Sequence, residues 1–581
     1  MTDSTIEPIP FDSDAVRAWG ESHPRHTNWP VVYTIFDDKA IYVGETTSAA
    51  SRLKQHLANP QKAHLVHARV VVDETFNTSV CLDLESQLIA YFAADEKFEV
   101  LNSNAGMSNA DYFERDKYRA SFDGIFERLL DEGLLTRSIP DIVNSNLFKY
   151  SPFKSLNTDQ ATAVEGILET LLTEWKFESP TPIVIQGDPG TGKTIVAIYL
   201  IKLLMDIASS QPDEALDLDS MFSDFFQDGY RDVLRGVNIG LVIPQQSLRK
   251  TVQRVFKKTP GLDPKMVIDP FSLTRPQEYD LLIVDEAHRL SLRANQPSAA
   301  LNNKFKAINE SFFGEDRPNF TQLDWIRAAS RHQIMLLDAA QSVRPADLSP
   351  ATIKEVVSSA DKQHTLFRLH SQMRVAGGHD YIEFVGKLLN LEPVGQPDFG
   401  EYDFRIFDNF ADMRQAILEK DQEVGLSRLV AGYAWEWKSK NDPSAVDISI
   451  DGIDLQWNRT AVDWVNSPTS LNEVGSIHTI QGYDLNYAGV IIGNDLGFDP
   501  ETGQLVFNRA NYFDKKGKEN NPKLGREYTD EELLAYVKNI YRVLLTRGIR
   551  GTYIFAVDMT LGMRLSEVLV GAQRAAKASH G

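Results

Sequence analysis

Eight consecutive residues, "GDPGTGKT" (187–194), have the types and spacing to hold a phosphate chain. They fit the pattern G-x-x-x-x-G-K-[ST], in which glycines turn backbone N–H groups toward phosphate and a helix N-terminus adds partial positive charge. Gly187, Gly190 and Gly192 shape that loop, Lys193 reaches the β and γ phosphates of ATP, and the Thr194 hydroxyl ligates Mg²⁺. The apolar run "YDLLIVDEAH" (279–288) ends in Asp285, placed to hold the same Mg²⁺ through water, and in Glu286, placed to orient and deprotonate an attacking water. A second set lies near the N-terminus. Tyr33 and Tyr42 fall on two short β-branched runs, "VVYTI" and "AIYVG", and can face one pocket. Arg52 and His56, four apart, share a helix face, and Glu85 is an inward-pointing acid on the apolar-periodic stretch 80–94.

The elements that must position these groups follow from pattern. The strand "PIVIQ" precedes the glycine loop and the helical "TIVAIYLIKLLMD" follows it, which is the context the motif requires. "NIGLVIPQQ", "DLLIVDEAH", "QIMLLDAAQ", "AGVIIGND" and "GTYIFAVD" are further short β-rich runs separated by helix-like sequence, predicting an α/β fold with parallel sheets. Near the N-terminus a hairpin leads into a helix over "SAASRLKQHLA" with Ser48 as its cap. Residues 1–30, with Pro8, Pro10, Pro24 and Pro30, read as an irregular lead-in. The expected organisation is 1–110 as a small α/β domain, 111–150 as a helical linker, 151–345 as a first parallel-sheet domain and 346–581 as a second. The stretches 206–236 and 514–527 read as insertions or loops.

Bulk properties narrow the class. With 581 residues the chain is too long for one core, and 42% hydrophobic and 24% charged residues suit a soluble protein. No apolar run approaches the roughly 18–20 residues of a membrane span, the start is acidic, and Cys81 stands alone, so a cytoplasmic protein without membrane contact or disulfides is expected. The formal charge of −21 argues against nucleic acid as a partner, yet charge is segregated. Residues 49–72 hold Arg52, Lys54, Lys62 and Arg69 with no acid, whereas 206–228 hold seven acids and no base.

The motif order over about 150–575 resembles a superfamily 1 helicase, which implies two RecA-like domains closing on ATP. That resemblance implies that Gln160 in "LNTDQATAV" reads adenine and that "LVIPQQSL" (241–248) touches nucleic acid. It further implies that Gln341 senses the γ phosphate, Arg374 contacts phosphate, "SIHTIQGYDLNYAGVII" couples nucleotide to nucleic acid, and Arg547 is the arginine finger. Within the superfamily, "RLVAGYAWEW" (428–437) and the compact second half resemble the Schlafen-related helicase-type family. Trp435, Trp437 and Trp457 read either as base-stacking or as packing residues, with packing the commoner use.

Residues 30–105 resemble the GIY-YIG nuclease family. Tyr33 matches the tyrosine of the first motif, with Val31 or Val32 where a glycine is usual, and Tyr42, Val43 and Gly44 match the second. Arg52 matches the helix arginine, Glu85 the metal-binding glutamate and Asn102 the late asparagine, and His56 lies one turn beyond Arg52. The resemblance implies that Glu85 holds one Mg²⁺ or Mn²⁺, that Tyr33 is a general base with a lowered pKa assisted by His56, and that Arg52 neutralises the scissile phosphate. The joint expectation is an ATP-dependent nuclease–helicase acting on DNA, in defence against foreign DNA or in repair. The alternatives are a motor with a non-cleaving binding head and an RNA-acting enzyme.

Overall fold

The computed structural model describes residues 4–102, 112–153, 156–175, 182–210, 222–226, 228–293, 296, 298–338, 344–372, 375–394, 399–460, 464–480, 483–521 and 524–579. The chain forms two compact units: Met1–Glu165 with Ile198–Gly236 and Arg254–Leu262, and Gly166–Ala197 with Val237–Gln253 and Asp263–Gly581. Among the described residues no helix is long and apolar enough to cross a membrane.

The first unit is built on a five-stranded sheet of β1 (Thr5–Pro10), β2 (Val31–Phe36), β3 (Ala40–Thr46), β4 (His67–Val72) and β5 (Glu99–Val100), in the order β1-β4-β2-β3-β5. The expected hairpin forms, with Asp37 Oδ1 accepting from Lys39 and Ala40 N–H to close the turn between β2 and β3. Alternation sorts the strand residues: Val32, Ile41 and Val43 pack under α3 (Thr78–Asp95), while Val31, Tyr33 and Ile35 face a cluster that includes Val16 of α1 (Ser13–Ser22) and Leu53 of α2 (Ala49–Leu57). The expected irregular lead-in is instead β1 and α1. Pro8 and Pro10 are tolerated because β1 is an edge strand, paired only with β4. Ser48 precedes α2 but makes no side-chain cap, contrary to expectation.

The expected linker is not a linker. The helices α4 (Arg115–Asp131), α5 (Ile139–Asn144) and α6 (Asn146–Lys149) lie against α3, and Phe122, Ile125, Phe126 and Leu129 join the same core as Val32 and Leu88. A polar lock adds register. Asp83, 1% exposed, accepts two hydrogen bonds from Arg119, both 3.0 Å, and one from the Tyr112 hydroxyl at 3.0 Å. Thus Asp83 is one of two buried acids of α3, with Asp95 at its end, and Glu85 is only partly buried.

The second unit carries a six-stranded sheet whose strands are all parallel. It comprises β6 (Ile183–Gly187), β7 (Ile239–Val242), β8 (Val267–Ile268), β9 (Tyr279–Val284), β10 (Ser330–Leu337) and β11 (Leu366–Leu369), in the order β11-β6-β10-β9-β7-β8. Its edge strand β11 comes from beyond residue 345, so the expected boundary there falls inside the sheet. A seven-stranded sheet follows, with β12 (Asp403–Phe407), β13 (Ser427–Ala431), β14 (Ile448–Ile450), β15 (Ile453–Trp457), β16 (Glu473–Ser476), β17 (Leu485–Ile492) and, after the short hairpin β18 (Leu496–Asp499) and β19 (Gln504–Phe507), β20 (Gly548–Ala556). Only β14–β15 in this sheet is antiparallel. The continuous apolar strands reflect burial on both faces, as parallel sheets require. Trp457 is buried in this core, which settles it as a packing residue.

Candidate functional site

The glycine loop lies at the C-terminal end of β6, and Asp285 follows β9, with β10 between the two strands. This is the edge at which parallel sheets present ligand sites. Gly190 and Gly192 hold φ of +90° and +80°, a region that other residues enter only at a cost, and the helix Lys193–Ser209 starts immediately after. The Lys193 ammonium donates to the Gly187 and Asp188 carbonyls at 2.6 and 3.0 Å and stands 3.7 Å from the Asp338 carboxylate. The Thr194 hydroxyl donates to Asp285 Oδ2 at 2.7 Å, so the two expected Mg²⁺-binding groups meet at one point. Hydroxyl and carboxylate oxygens are the hard donors that Mg²⁺ takes, and the pair fits that ion.

Burial, and then the neighbouring charge of Glu286, pushes the Asp285 carboxyl up to about 6. Burial also raises Glu286, but His288 beside it, together with the charges of Lys193 and Arg289, outweighs this and holds Glu286 below its ordinary value. His288 Nδ1 accepts the Asp338 N–H at 3.3 Å, which leaves its Nε2–H toward Glu286 Oε2, 3.1 Å away. Glu286 itself has φ +52°, a left-handed conformation uncommon for glutamate, which turns the chain sharply after Asp285.

The remaining expected residues of this site are placed as follows. Arg547, 2% exposed, precedes β20, with its Nη1 3.5 Å from the Tyr483 carbonyl. The Tyr483 hydroxyl in turn lies 3.1 Å from the Thr251 hydroxyl. Gln160, in the first unit, is 1% exposed and its Oε1 accepts the Asn157 N–H while Asn157 Oδ1 accepts the Gln160 N–H, a reciprocal helix-capping pair. That amide oxygen is committed to the helix start, so Gln160 has a structural duty that the motif alone did not reveal. Gln341 and Arg374 lie outside the described residues. Three residues at the loop were not anticipated: Asp338 beside Lys193, His288 behind Glu286, and Gln372, whose amide donates to the Pro189 carbonyl at 2.6 Å. The signal for Asp338 was its place after an apolar strand, as for Asp285; Gln372 had none.

In the first unit, the hairpin and α2 bring Tyr33, Tyr42 and His56 together. Tyr33 Oη is 2.7 Å from His56 Nε2, and ring centroids are 6.3 Å apart for Tyr33–Tyr42 and 5.0 Å for Tyr42–His56. Tyr33 stands directly across from Gly44, where an added Cβ would lie 2.3 Å from the Tyr33 oxygen. Glycine there makes the space that the hydroxyl occupies. Val31 and Val32, by contrast, sit in regular strand pairing, with neither at positive φ and both side chains fully buried, so glycine has no conformational duty at this point. Asn102, 8% exposed, has a backbone partner. Its amide clamps the Val43 backbone, accepting from the N–H at 3.0 Å and donating to the carbonyl at 2.8 Å, and so extends the β3–β5 pairing.

The expected lowered pKa of Tyr33 is not found. Burial first, then Tyr42, and more weakly Glu85, raise the phenol well above its ordinary range, and Arg52 opposes this by charge and hydrogen bond. Burial, with Lys62 and Arg52, pulls His56 down to about 3, so its ring is neutral. Lys62, not anticipated as a site residue, places Nζ 3.3 Å from His56 Nδ1 and 3.2 Å from the centroid of the Tyr42 ring. Among the described residues no three His, Cys, Asp or Glu side chains cluster for a metal. A single carboxylate such as Glu85 fits a Mg²⁺ that keeps most of its waters.

Residues 180–558 match the family model described as Schlafen group 3, DNA/RNA helicase domain. An uncharacterized protein of Saccharomyces cerevisiae, YPL245W, is 27% identical over 452 residues, spanning 71% of this chain and 90% of that one. Among solved structures, a Pif1 helicase from Bacteroides in complex with ADP-AlF3 and single-stranded DNA is 12% identical, with a TM-score of 0.25 over 71% of this chain and 96% of that one. The arterivirus nonstructural protein 10 helicase is also 12% identical, with a TM-score of 0.25 over 69% of this chain and 64% of that one. Scores this low carry no argument about this chain, and its classification rests on the family match.

Proposed function

Because the chain belongs to the Schlafen group 3 DNA/RNA helicase family, we propose that it is an ATP-hydrolysing nucleic-acid motor of the superfamily 1 type whose N-terminal unit is a metal-dependent endonuclease of the GIY-YIG type. The observation that carries the motor is the 2.7 Å hydrogen bond from Thr194 to Asp285 beside the Lys193 loop. Lys193 exchanges its carbonyl partners for phosphate oxygens when ATP enters, and the loop N–H groups bind the same chain. Bound Mg²⁺ offsets charge on the phosphates; Thr194 and Asp285 hold it. Glu286, kept ionised and oriented by His288, accepts the proton of the attacking water. Arg547 is the cation from the second sheet that completes the site.

In the head, Arg52 binds the scissile phosphate, Tyr33 orients the attacking water and Glu85 holds Mg²⁺ or Mn²⁺. The metal supplies charge stabilisation at the leaving 3′ oxygen. DNA is the favoured substrate; RNA is the alternative that the family's description also names. A non-cleaving binding head is the second reading, favoured by the burial that raises Tyr33 rather than lowering it.

One assay separates these readings: ATP hydrolysis and cleavage measured side by side on single-stranded DNA, duplex, fork and RNA, with and without ATP and Mn²⁺. Lys193→Ala is expected to abolish ATP hydrolysis, and Glu85→Ala to abolish cleavage while sparing hydrolysis. If Glu85→Ala cuts like the wild type, the head is misassigned. Nucleic-acid-stimulated hydrolysis without cleavage under any divalent ion would establish the binding head instead.

A further inference from the structure

His56 can take either of two roles toward Tyr33, and a neighbour decides between them. A neutral imidazole donates from one nitrogen and accepts at the other. Its Nε2 lies 2.7 Å from Tyr33 Oη and its Nδ1 lies 3.3 Å from the Lys62 ammonium. An ammonium has donors only, so Nδ1 must be the acceptor and the ring hydrogen must sit on Nε2. His56 is then the donor to the Tyr33 oxygen.

We propose that Lys62 is a positioning residue that selects this tautomer, so that His56 presents Nε2–H to Tyr33 and cannot take the Tyr33 proton. The placement of Lys62 is built, not incidental. Asn59 accepts the Lys62 N–H at 3.0 Å and Lys62 accepts the Leu65 N–H at 3.1 Å, which folds the chain after α2 back on itself. Its Nζ lies over the Tyr42 ring, where the π face favours the cation and holds it beside His56. The groups around His56 are Tyr33 and Tyr42 from the hairpin, Arg52 from its own helix and Lys62 from the following turn. Among the described residues none of these groups is a carboxylate, so none of them draws a second proton onto the ring.

The consequence for cleavage rests on the nuclease reading above. With His56 as donor, the Tyr33 hydroxyl hydrogen points away from the imidazole, and Nε2–H stabilises negative charge on the Tyr33 oxygen. Without Lys62 the Nδ1–H tautomer becomes available, and its bare Nε2 accepts a hydrogen bond from the Tyr33 hydroxyl.

The test uses the full chain with ¹⁵N-labelled histidine imidazoles, the His56 signals being identified by their loss in His56→Asn. Two-bond proton–nitrogen correlations report which nitrogen carries hydrogen. The wild type and Lys62→Arg are expected to show Nε2–H, and Lys62→Met to gain a substantial Nδ1–H population. An Nδ1–H tautomer in the wild type, or a Lys62→Met spectrum matching the wild type, overturns the proposal. In cleavage, Lys62→Met is expected to lower kcat about tenfold or more with KM within about threefold, Lys62→Arg to recover most of it, and ATP hydrolysis to stay unchanged as the report of an intact fold. A wild-type chain that cuts nothing defeats the nuclease reading alone, since the tautomer measurement needs no activity.

Discussion

Single atoms decide the candidate head site. Gly44 is the clearest case, because its missing Cβ is the space held by the Tyr33 hydroxyl. Gly44→Ala is expected to destabilise the head by about 1–3 kcal/mol, as forced overpacking does, and to suppress cleavage. The ring carbon Cζ would also lie 2.5 Å from the added Cβ, so relief needs the loss of the ring tip, and Gly44→Ala should cost less in a Tyr33→Leu background than in the wild type, with no activity in either. Urea unfolding followed by head fluorescence checks this; an equal cost of Gly44→Ala in both backgrounds would refute the steric account. The meeting of Tyr33, Tyr42 and His56 was legible in the sequence because hairpin pairing and helix spacing sufficed. Lys62 was not, because its partner sits six residues away across a turn whose geometry no periodicity encodes.

Elements carry the next level. The helices 115–149 looked like a connector since their apolar positions are modest and mixed with charge, but Asp83 and the α3 core give them a surface to bury against. Each fully buried side chain there contributes about 1.5–3 kcal/mol, which the local pattern does not register. At the end of β17, Asp495 is fully buried, accepts from the Tyr541 hydroxyl at 2.6 Å, and is pushed up by burial to about 7. Its folded value lies above the unfolded one near 3.8, so folding takes up a proton between the two. The stability it lends is therefore full below about pH 4 and is lost as pH rises through about 7, at roughly 1.4 kcal/mol per unit. Asp495→Asn should flatten that slope. Hydrogen exchange of Leu485–Leu496, corrected for intrinsic rates, measures it, and an unchanged slope in the variant would count against the assignment.

At the scale of the molecule, the proposal couples two chemistries in one chain, and they should be separable. Glu286→Gln keeps the shape of the ATP site but removes its proton acceptor. Phosphate release is expected to fall about 10²–10⁴-fold while ATP binding and cutting of a short oligonucleotide persist. Loss of cutting in that variant would mean that hydrolysis is obligatory for the head. The charge of −21 adds a second constraint, since binding to nucleic acid must rely on local basic stretches such as Gln246–Lys258 and so should weaken steeply with salt.

The sequence by itself determined the α/β class, the phosphate loop, the Asp285–Glu286 pair and the hairpin of the head, because each depends on residues close in the chain. Only the tertiary structure decided that 115–149 belongs to the head core, that β11 closes the first parallel sheet from beyond residue 345, that Asn102 clamps backbone, and that Tyr33 is raised rather than lowered. Those outcomes depend on burial and on partners distant in the chain, and burial is a property of the packed molecule that no local pattern contains.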